Sequence, residues 1–309
     1  MTEDTPTARI ALAFAVVMVV WGTTYLGVAI MLRDIPVFTA SSLRFALAAV
    51  VLYAVLRVRG AQPLAGIASP RAFASGVLMS GIGTGFLGLS MMGITSGVAA
   101  LLNATIPIFV TLIDWGFFQK RRPAFLTALG LVVGFGGVAL IANGAPVKPG
   151  AQGGLYVGIG LFAVVCWSLG TLVQRGMVPP QRLLALSCVQ MTSASVFLGV
   201  LAAVSGEWSS FDPTAVRAPA WLAMGYLVIF GSVITQSCYL WLLTRLPAEK
   251  VTIYAIVNPA IALVLGVLFL GEVVTGAGAL GAALILGGVS LVLFEKPLRA
   301  FIVARFAGA

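Results

Sequence analysis

Apolar stretches of about twenty residues recur along almost the whole chain, and no other feature constrains its fold so strongly. A hydrocarbon core about 30 Å thick takes about 20 apolar residues per helix, whereas a membrane-spanning strand needs only about 9–11. The stretches fall at 10–32, 35–56, 72–92, 95–118, 123–142, 154–174, 183–205, 219–243, 248–270 and 273–294, all of helical length. Together they occupy roughly three quarters of the chain, so the connections and tails leave no room for a soluble catalytic or ligand-binding domain. Composition agrees: 60% of the residues are hydrophobic and only 9% charged, against about 25% charged in a soluble domain. A water-soluble globule is excluded. The expected fold is an all-α integral membrane protein with ten transmembrane helices.

The net charge of +9 invites a nucleic-acid reading, but topology accounts for where the charges sit. If the spans alternate, one membrane face receives Arg9, Arg57, Arg59, Arg71, Lys120, Arg121, Arg122, Arg175, Arg182, Arg245, Lys250, Lys296, Arg299 and Arg305, and the other only Arg33, Lys148 and Arg217. Under the positive-inside rule this bias of 14 to 3 places both termini in the cytoplasm. The first span is too long for the h-region of a signal peptide and is expected to remain as a helix. Cys166, Cys188 and Cys238 all lie inside spans and are odd in number, so they read as small buried residues rather than a disulfide framework.

The first five spans realign on the second five. At an offset of 146, Trp21-Gly22-Thr23-Thr24 falls on Trp167-Ser168-Leu169-Gly170, and Arg44 on Gln190. At 152, Ile106-Pro107 falls on Asn258-Pro259. At 151, LGLVVGFGGVAL (129–140) falls on LGAALILGGVSL (280–291). Five is odd, so two such halves cross the bilayer in opposite directions, and inverted repeats are an architecture of secondary transporters whose substrate site lies at the repeat interface near the midplane. The expected organisation is a cytoplasmic tail (1–9), a first repeat (10–142), a periplasmic linker (143–153), a second repeat (154–294) and a cytoplasmic tail (295–309), with the two repeats around a central cavity.

The Trp-Gly helix, the Arg of the second span, the Pro-bearing helix ending Phe269-Leu270-Gly271-Glu272 and the LG.....GGV pattern that follows closely resemble the EamA-type carriers of the drug/metabolite transporter superfamily. The resemblance runs from Ala11 to Phe294 and is strongest over 248–294. It implies a ten-helix carrier of the bacterial inner membrane, typically an exporter of amino acids or other small metabolites, with the aromatic and broad-range amino-acid exporters as the nearest branch. One departure is Phe118-Gln119-Lys120, where the family usually has Gly-Glu, so the acidic group of that position is missing from the first half.

Candidate site residues follow from depth and symmetry. Pro107 and Pro259 lie near mid-span and free the carbonyls of Asn103 and Ala255, which in lipid must meet a neighbour, water or a substrate. The prolines therefore mark either simple kinks or breaks lining the cavity, and Asn103 and Asn258 add amides at that depth. Trp21 and Trp167 are also near mid-span, as packing residues or as walls of an aromatic pocket. Tyr239 and Tyr254 add apolar walls with polar tips, and packing is the competing role for Tyr239. Arg44 must have a partner: a structural one, such as carbonyls of a broken helix, or a substrate carboxylate. Its match to Gln190 favours the structural job. Asp114 is the acidic residue well inside a span; it either pairs with Lys120 or Arg121 by snorkelling or carries a proton.

The run Gly81-Ile82-Gly83-Thr84-Gly85 has a phosphate-loop look, but no strand precedes it and no Lys-Ser/Thr follows, so it reads as helix packing, as do Gly81/Gly85 and Gly130/Gly134. There is no histidine, no HExxH and no pair of buried carboxylates for intramembrane hydrolysis. No Walker motif points to ATP. The expected partners are a small-molecule substrate and the bilayer, with the chain a monomer and no nucleic acid, metal or cofactor involved.

Overall fold

The computed structural model describes residues 7–60, 68–118, 124–144, 152–175, 177, 180–243, 245, 246, 251, 254–295 and 298. Among them there are helices and no strands. Among the described residues, nine helices are long and apolar enough to cross a membrane: α1 (Thr7–Met31), α2 (Val37–Val58), α3 (Pro70–Ser90), α4 (Ser96–Phe118), α5 (Phe125–Asn143), α6 (Gly153–Gln174), α7 (Leu183–Val204), α8 (Ala218–Leu242) and α10 (Gly276–Leu293). Between the last two, α9 (Tyr254–Leu270) is a shorter apolar helix. The protein is a multi-pass membrane protein. Of the sequence expectations, the Gln119-Lys120 departure and most of the linker and both tails lie outside the described residues.

The ends of these helices are capped in ways their sequences dictate. Ser69, Thr95 and Thr275 each precede a helix and accept a backbone N–H three residues on, from Ala72, Val98 and Gly278. Other ends are capped from the opposite half of the chain. Glu272 accepts from Ser96 N at 2.6 Å and Gly97 N at 3.2 Å, and Glu207 accepts from Thr39 N at 2.8 Å. Arg71 donates to the carbonyls of Val173, in the last turn of α6, and Arg175, just after it. Carboxylates sit at N-termini and a guanidinium at a C-terminus, as the helix dipole favours. The FLGE run thus has a structural meaning: Gly271 takes φ +66°, which glycine tolerates, Glu272 N turns back onto Gly266 O, and the carboxylate reaches α4.

The packing follows the repeat. α2 lies along α7, and α5 along α10. Ser42 Oγ donates to Ser195 O at 2.9 Å, and Cys188 Sγ to Ala49 O at 3.6 Å. An offset of 146 carries Ser42 to Cys188 and Ala49 to Ser195, so each contact is the image of the other, and the pairing is antiparallel. α5 and α10 also run antiparallel, with backbone against backbone: a Cβ on Gly130 would fall 2.6 Å from Gly288 O, and one on Gly137 2.7 Å from Gly281 O. Gly136 and Gly287, their neighbours, face open space.

Two features lay outside the sequence reading. Residues Val77–Thr84 of α3 and Leu227–Ile234 of α8 are wound as π-helix, at matching places in the two halves. The glycine-rich run 81–85 falls in and beside the first of these. The other is an ion pair between loops: Asp34, after α1, accepts from Arg217, before α8, with Nη2 to Oδ1 at 2.5 Å. This partner holds the Asp34 carboxyl below its usual range and raises the Arg217 guanidinium.

Candidate functional site

The π-helical turns face one cavity between the two halves, with about 1000 Å³ of empty space including its open mouth. Its wall includes Trp21, Arg44, Asn103, Trp167, Gln190, Tyr254 and Asn258. Seven separate predicted residues, from α1, α2, α4, α6, α7 and α9, are therefore brought together. The π turns contribute Ser80, Gly83 and Thr84 from α3, and Gly231 and Ser232 from α8. These, with Tyr25, Ser187 and Gln236, are among the residues the sequence reading missed. Ser187 carries a signal in hindsight: it is the offset-146 image of Ser41, and its buried hydroxyl has no hydrogen-bond partner.

The two halves supply equivalent side chains in unequal states. Trp21 Nε1 donates to Gly231 O at 3.2 Å, a carbonyl presented by the wide turn of α8. The Trp167 ring lies against Gly83, and its indole N–H makes no hydrogen bond among the described residues. Trp21 packs at 4.9 Å from the Tyr254 ring and 5.2 Å from the Tyr239 ring, with the two tyrosines 5.8 Å apart. Tyr239 belongs to the cluster behind this wall and does not line the cavity. The two asparagines are not counterparts at the offset of 152, and they make different contacts. Asn103 lies beside the Tyr25 hydroxyl. The Asn258 amide, oriented by its hydrogen-bond network, donates to Tyr254 O at 3.1 Å and Met18 O at 3.0 Å, tying α9 to α1.

Pro107 and Pro259 line a smaller void beside Asn103 and Asn258, but their helices respond differently. α4 breaks at Thr105, whose N–H and hydroxyl both bond Leu102 O, and the Ile106 carbonyl accepts from Ser168 on α6 at 3.4 Å. α9 continues through Pro259.

Arg44 and Gln190 bond side chains of neighbouring helices and not the carbonyls of a broken helix. Arg44 Nε donates to the Ser232 hydroxyl at 3.1 Å; Gln190 Nε2 donates to Ser75 Oγ at 2.8 Å and Gln174 Oε1 at 2.9 Å. The wide turns place hydroxyls within reach in one case, and the close approach of Gly76 to the Gln190 backbone brings Ser75 within reach in the other. Asp114 has a partner from another helix. Its partner is Arg175, at the end of α6, at 3.0 Å, whereas Lys120 and Arg121 lie outside the described residues. Helix α6 ends beside α4, a juxtaposition that spacing within α4 cannot reveal. Asp114 is not part of the cavity wall.

Among the described residues no group of three or more His, Cys, Asp or Glu side chains is placed to hold a metal, and the cavity wall has one charged side chain, Arg44. The wall can stack apolar groups and donate and accept hydrogen bonds. It offers no nucleophile paired with a base.

The model of the EamA-like transporter family matches twice, over residues 8–143 and 154–294. The chain is 28% identical over 281 residues to the "Uncharacterized inner membrane transporter YedA" of Escherichia coli (strain K12), covering 90% of this chain and 88% of that protein. It is 24% identical over 295 residues to the "Uncharacterized transporter YoaV" of Bacillus subtilis (strain 168), covering 93% and 97%. A solved structure described as "Crystal structure of protein" shares the fold, with a TM-score of 0.64 at 18% identity over 96% of this chain and 99% of that one.

Proposed function

The chain belongs to the EamA-like transporter family, and from that premise we propose a secondary carrier that exports small neutral or zwitterionic metabolites, amino acids including aromatic ones above all, by alternating access. In this reading ten helices form two inverted five-helix repeats in the bacterial inner membrane, the chain acts as a monomer, and both termini are cytoplasmic. The antiparallel courses of α2 with α7 and of α5 with α10, each helix with its own sequence counterpart, support the inversion. The charge bias supports the orientation.

The observation that carries the substrate class is the cavity wall: two tryptophans, two tyrosines and two asparagines around a space with little fixed charge. Trp21, Trp167 and Tyr254 stack on an apolar side chain, while Asn103 and the oxygen of Asn258 orient the polar end. Pro107 and Pro259 are the hinges at this depth. A polyanionic or phosphorylated substrate would need more cationic groups than the wall provides. The deciding experiment is counterflow in liposomes containing only this protein, against a panel of amino acids, nucleosides and neutral sugars. Accelerated exchange of labelled aromatic amino acids is the expected result. Exchange of nucleosides or sugars alone would refute the amino-acid assignment, and no exchange of any solute would refute the carrier.

A further inference from the structure

Arg44 is a buried cation with almost nothing to hold it. Its residue surface is only 7% exposed, and a guanidinium has five N–H donors. One of these, on Nε, reaches Ser232 Oγ at 3.1 Å; among the described residues no carboxylate and no carbonyl accepts from the rest. The Phe45 ring, 5.3 Å from Cζ, is the one further electrostatic partner. An unpaired charge at this depth is costly, and structural arginines in membranes are paired with carboxylates or several carbonyls. This one instead forms part of the cavity wall.

The seat is built for a guanidinium. Gly231 lies against Nη2, so that a Cβ there would fall 3.3 Å from it. The carbonyl of Gly231 is held by the Trp21 indole, and the next residue, Ser232, takes Nε. The wide turn of α8 thus fixes the plane of the group and leaves the Nη edge uncommitted. A planar pair of N–H donors matches a carboxylate in bidentate fashion.

We propose that Arg44 binds the carboxylate of the transported molecule, and that this carrier therefore selects monocarboxylates over their amides and amines. The inference rests on the cavity being the site of an amino-acid carrier. It predicts that the carboxylate, more than the ammonium group, is required for recognition.

The test uses the purified full chain in detergent, with ligand binding read as a rise in thermal midpoint. The probes are L-phenylalanine, 3-phenylpropionate, L-phenylalaninamide and phenethylamine. In the parent, the two carboxylates are expected to bind at least tenfold more tightly than the amide and the amine, as for a charge-assisted pair. In Arg44→Gln that ratio should fall towards one, and Arg44→Lys should retain part of it. A structural role for Arg44 would instead weaken all four probes together and leave the ratio intact. The proposal is overturned if the parent binds the amide as well as the acid, or if folded Arg44→Gln keeps the parent's ratio. Should Arg44→Gln fail to fold, the parent's ratio alone decides. If no probe binds the parent, the amino-acid reading of the cavity falls and this inference with it; if all four bind equally, only the inference falls.

Discussion

Adjacent glycines on α10 are expected to respond oppositely to one added methyl group. A Cβ on Gly288 would lie 2.5 Å from both Gly130 O and Gly134 N and 2.8 Å from Gly134 Cα, all backbone atoms of α5; a Cβ on Gly287 meets nothing within 4 Å. Ordinary contact begins near 3.4 Å, so in Gly288→Ala the two helices must separate by about 1 Å. A gap of about 0.5–1 Å forfeits a quarter to a half of each dispersion contact along the seam. Lipid supplies no hydrophobic force to close it again, and overpacking of this kind costs about 1–3 kcal/mol. Both substitutions gain up to about 1 kcal/mol of helix propensity, so their difference isolates the clash. Unfolding in SDS should therefore show Gly288→Ala less stable than Gly287→Ala by about 1–3 kcal/mol, a factor of about 5 to 150 in the equilibrium constant. The pair Gly137→Ala and Gly136→Ala should repeat the contrast from the α5 side. Neither α5 nor α10 contributes to the cavity wall, so the apparent KM of the surviving folded protein should be unchanged. Equal stabilities for the two alanine variants would refute backbone-to-backbone packing at this seam.

Other substitutions test the site and its surroundings. Trp21→Ala removes a hydrogen bond and the packing of two tyrosines and is expected to lower both thermal stability and aromatic-substrate affinity. Trp167→Ala, whose N–H is uncommitted, should lower affinity several-fold with the smaller loss of stability; thermal unfolding and competition by aromatic against small amino acids would show it. Asp114→Asn should reduce transport less than tenfold and leave its pH dependence in place, because the group is engaged by Arg175 away from the cavity; initial rates across a pH series check this. For the Asp34–Arg217 pair the sign follows from the lowered carboxyl pKa. Its contribution to stability is present above the ordinary aspartate range and is lost as pH falls through the depressed value. Arg217→Ala should therefore lower the thermal midpoint at neutral pH, and the difference from the parent should shrink on acidification.

Much of the fold was legible because lipid imposes a simple requirement, an apolar length of chain with every backbone group satisfied internally. The offset of 146 that set Arg44 against Gln190 also relates the Ser42–Ser195 contact between α2 and α7 to the Cys188–Ala49 contact. The π turns were not legible. They change the pitch over residues 77–84 and 227–234, and a segment that is apolar on nearly every face carries no periodicity in which a wider turn would register. Tyr239 could not be separated from Tyr254 for a related reason: which of two aromatics fronts the cavity depends on the rotation of α8 against α1. Glu272 entered the sequence reading only as the end of the Phe269–Glu272 run, and Glu207 did not enter it. Their use as caps for α4 and α2 is a contact across more than 160 residues, beyond any local signal.

The site departs from the symmetry of its scaffold at each pair of counterparts. Trp21 is bonded to Gly231 while Trp167 is not, and α4 breaks before Pro107 while α9 runs through Pro259. Arg44 keeps donors to spare, whereas Gln190 has spent its amide hydrogens on Ser75 and Gln174 and keeps an acceptor oxygen. Physically the two levels call for different things. Two packings of nearly equal energy are easiest to obtain from a backbone whose halves are interchangeable, because exchanging their roles costs little. A small molecule with one acidic and one basic end has no such symmetry, and a wall that presented the same groups from both halves would match only one end of it. Conserved backbone contacts with diverged side chains at the cavity satisfy both demands. Replacing Gln190 by a second arginine would restore the chemical symmetry and, on this reasoning, remove the acceptor that a zwitterion's ammonium requires.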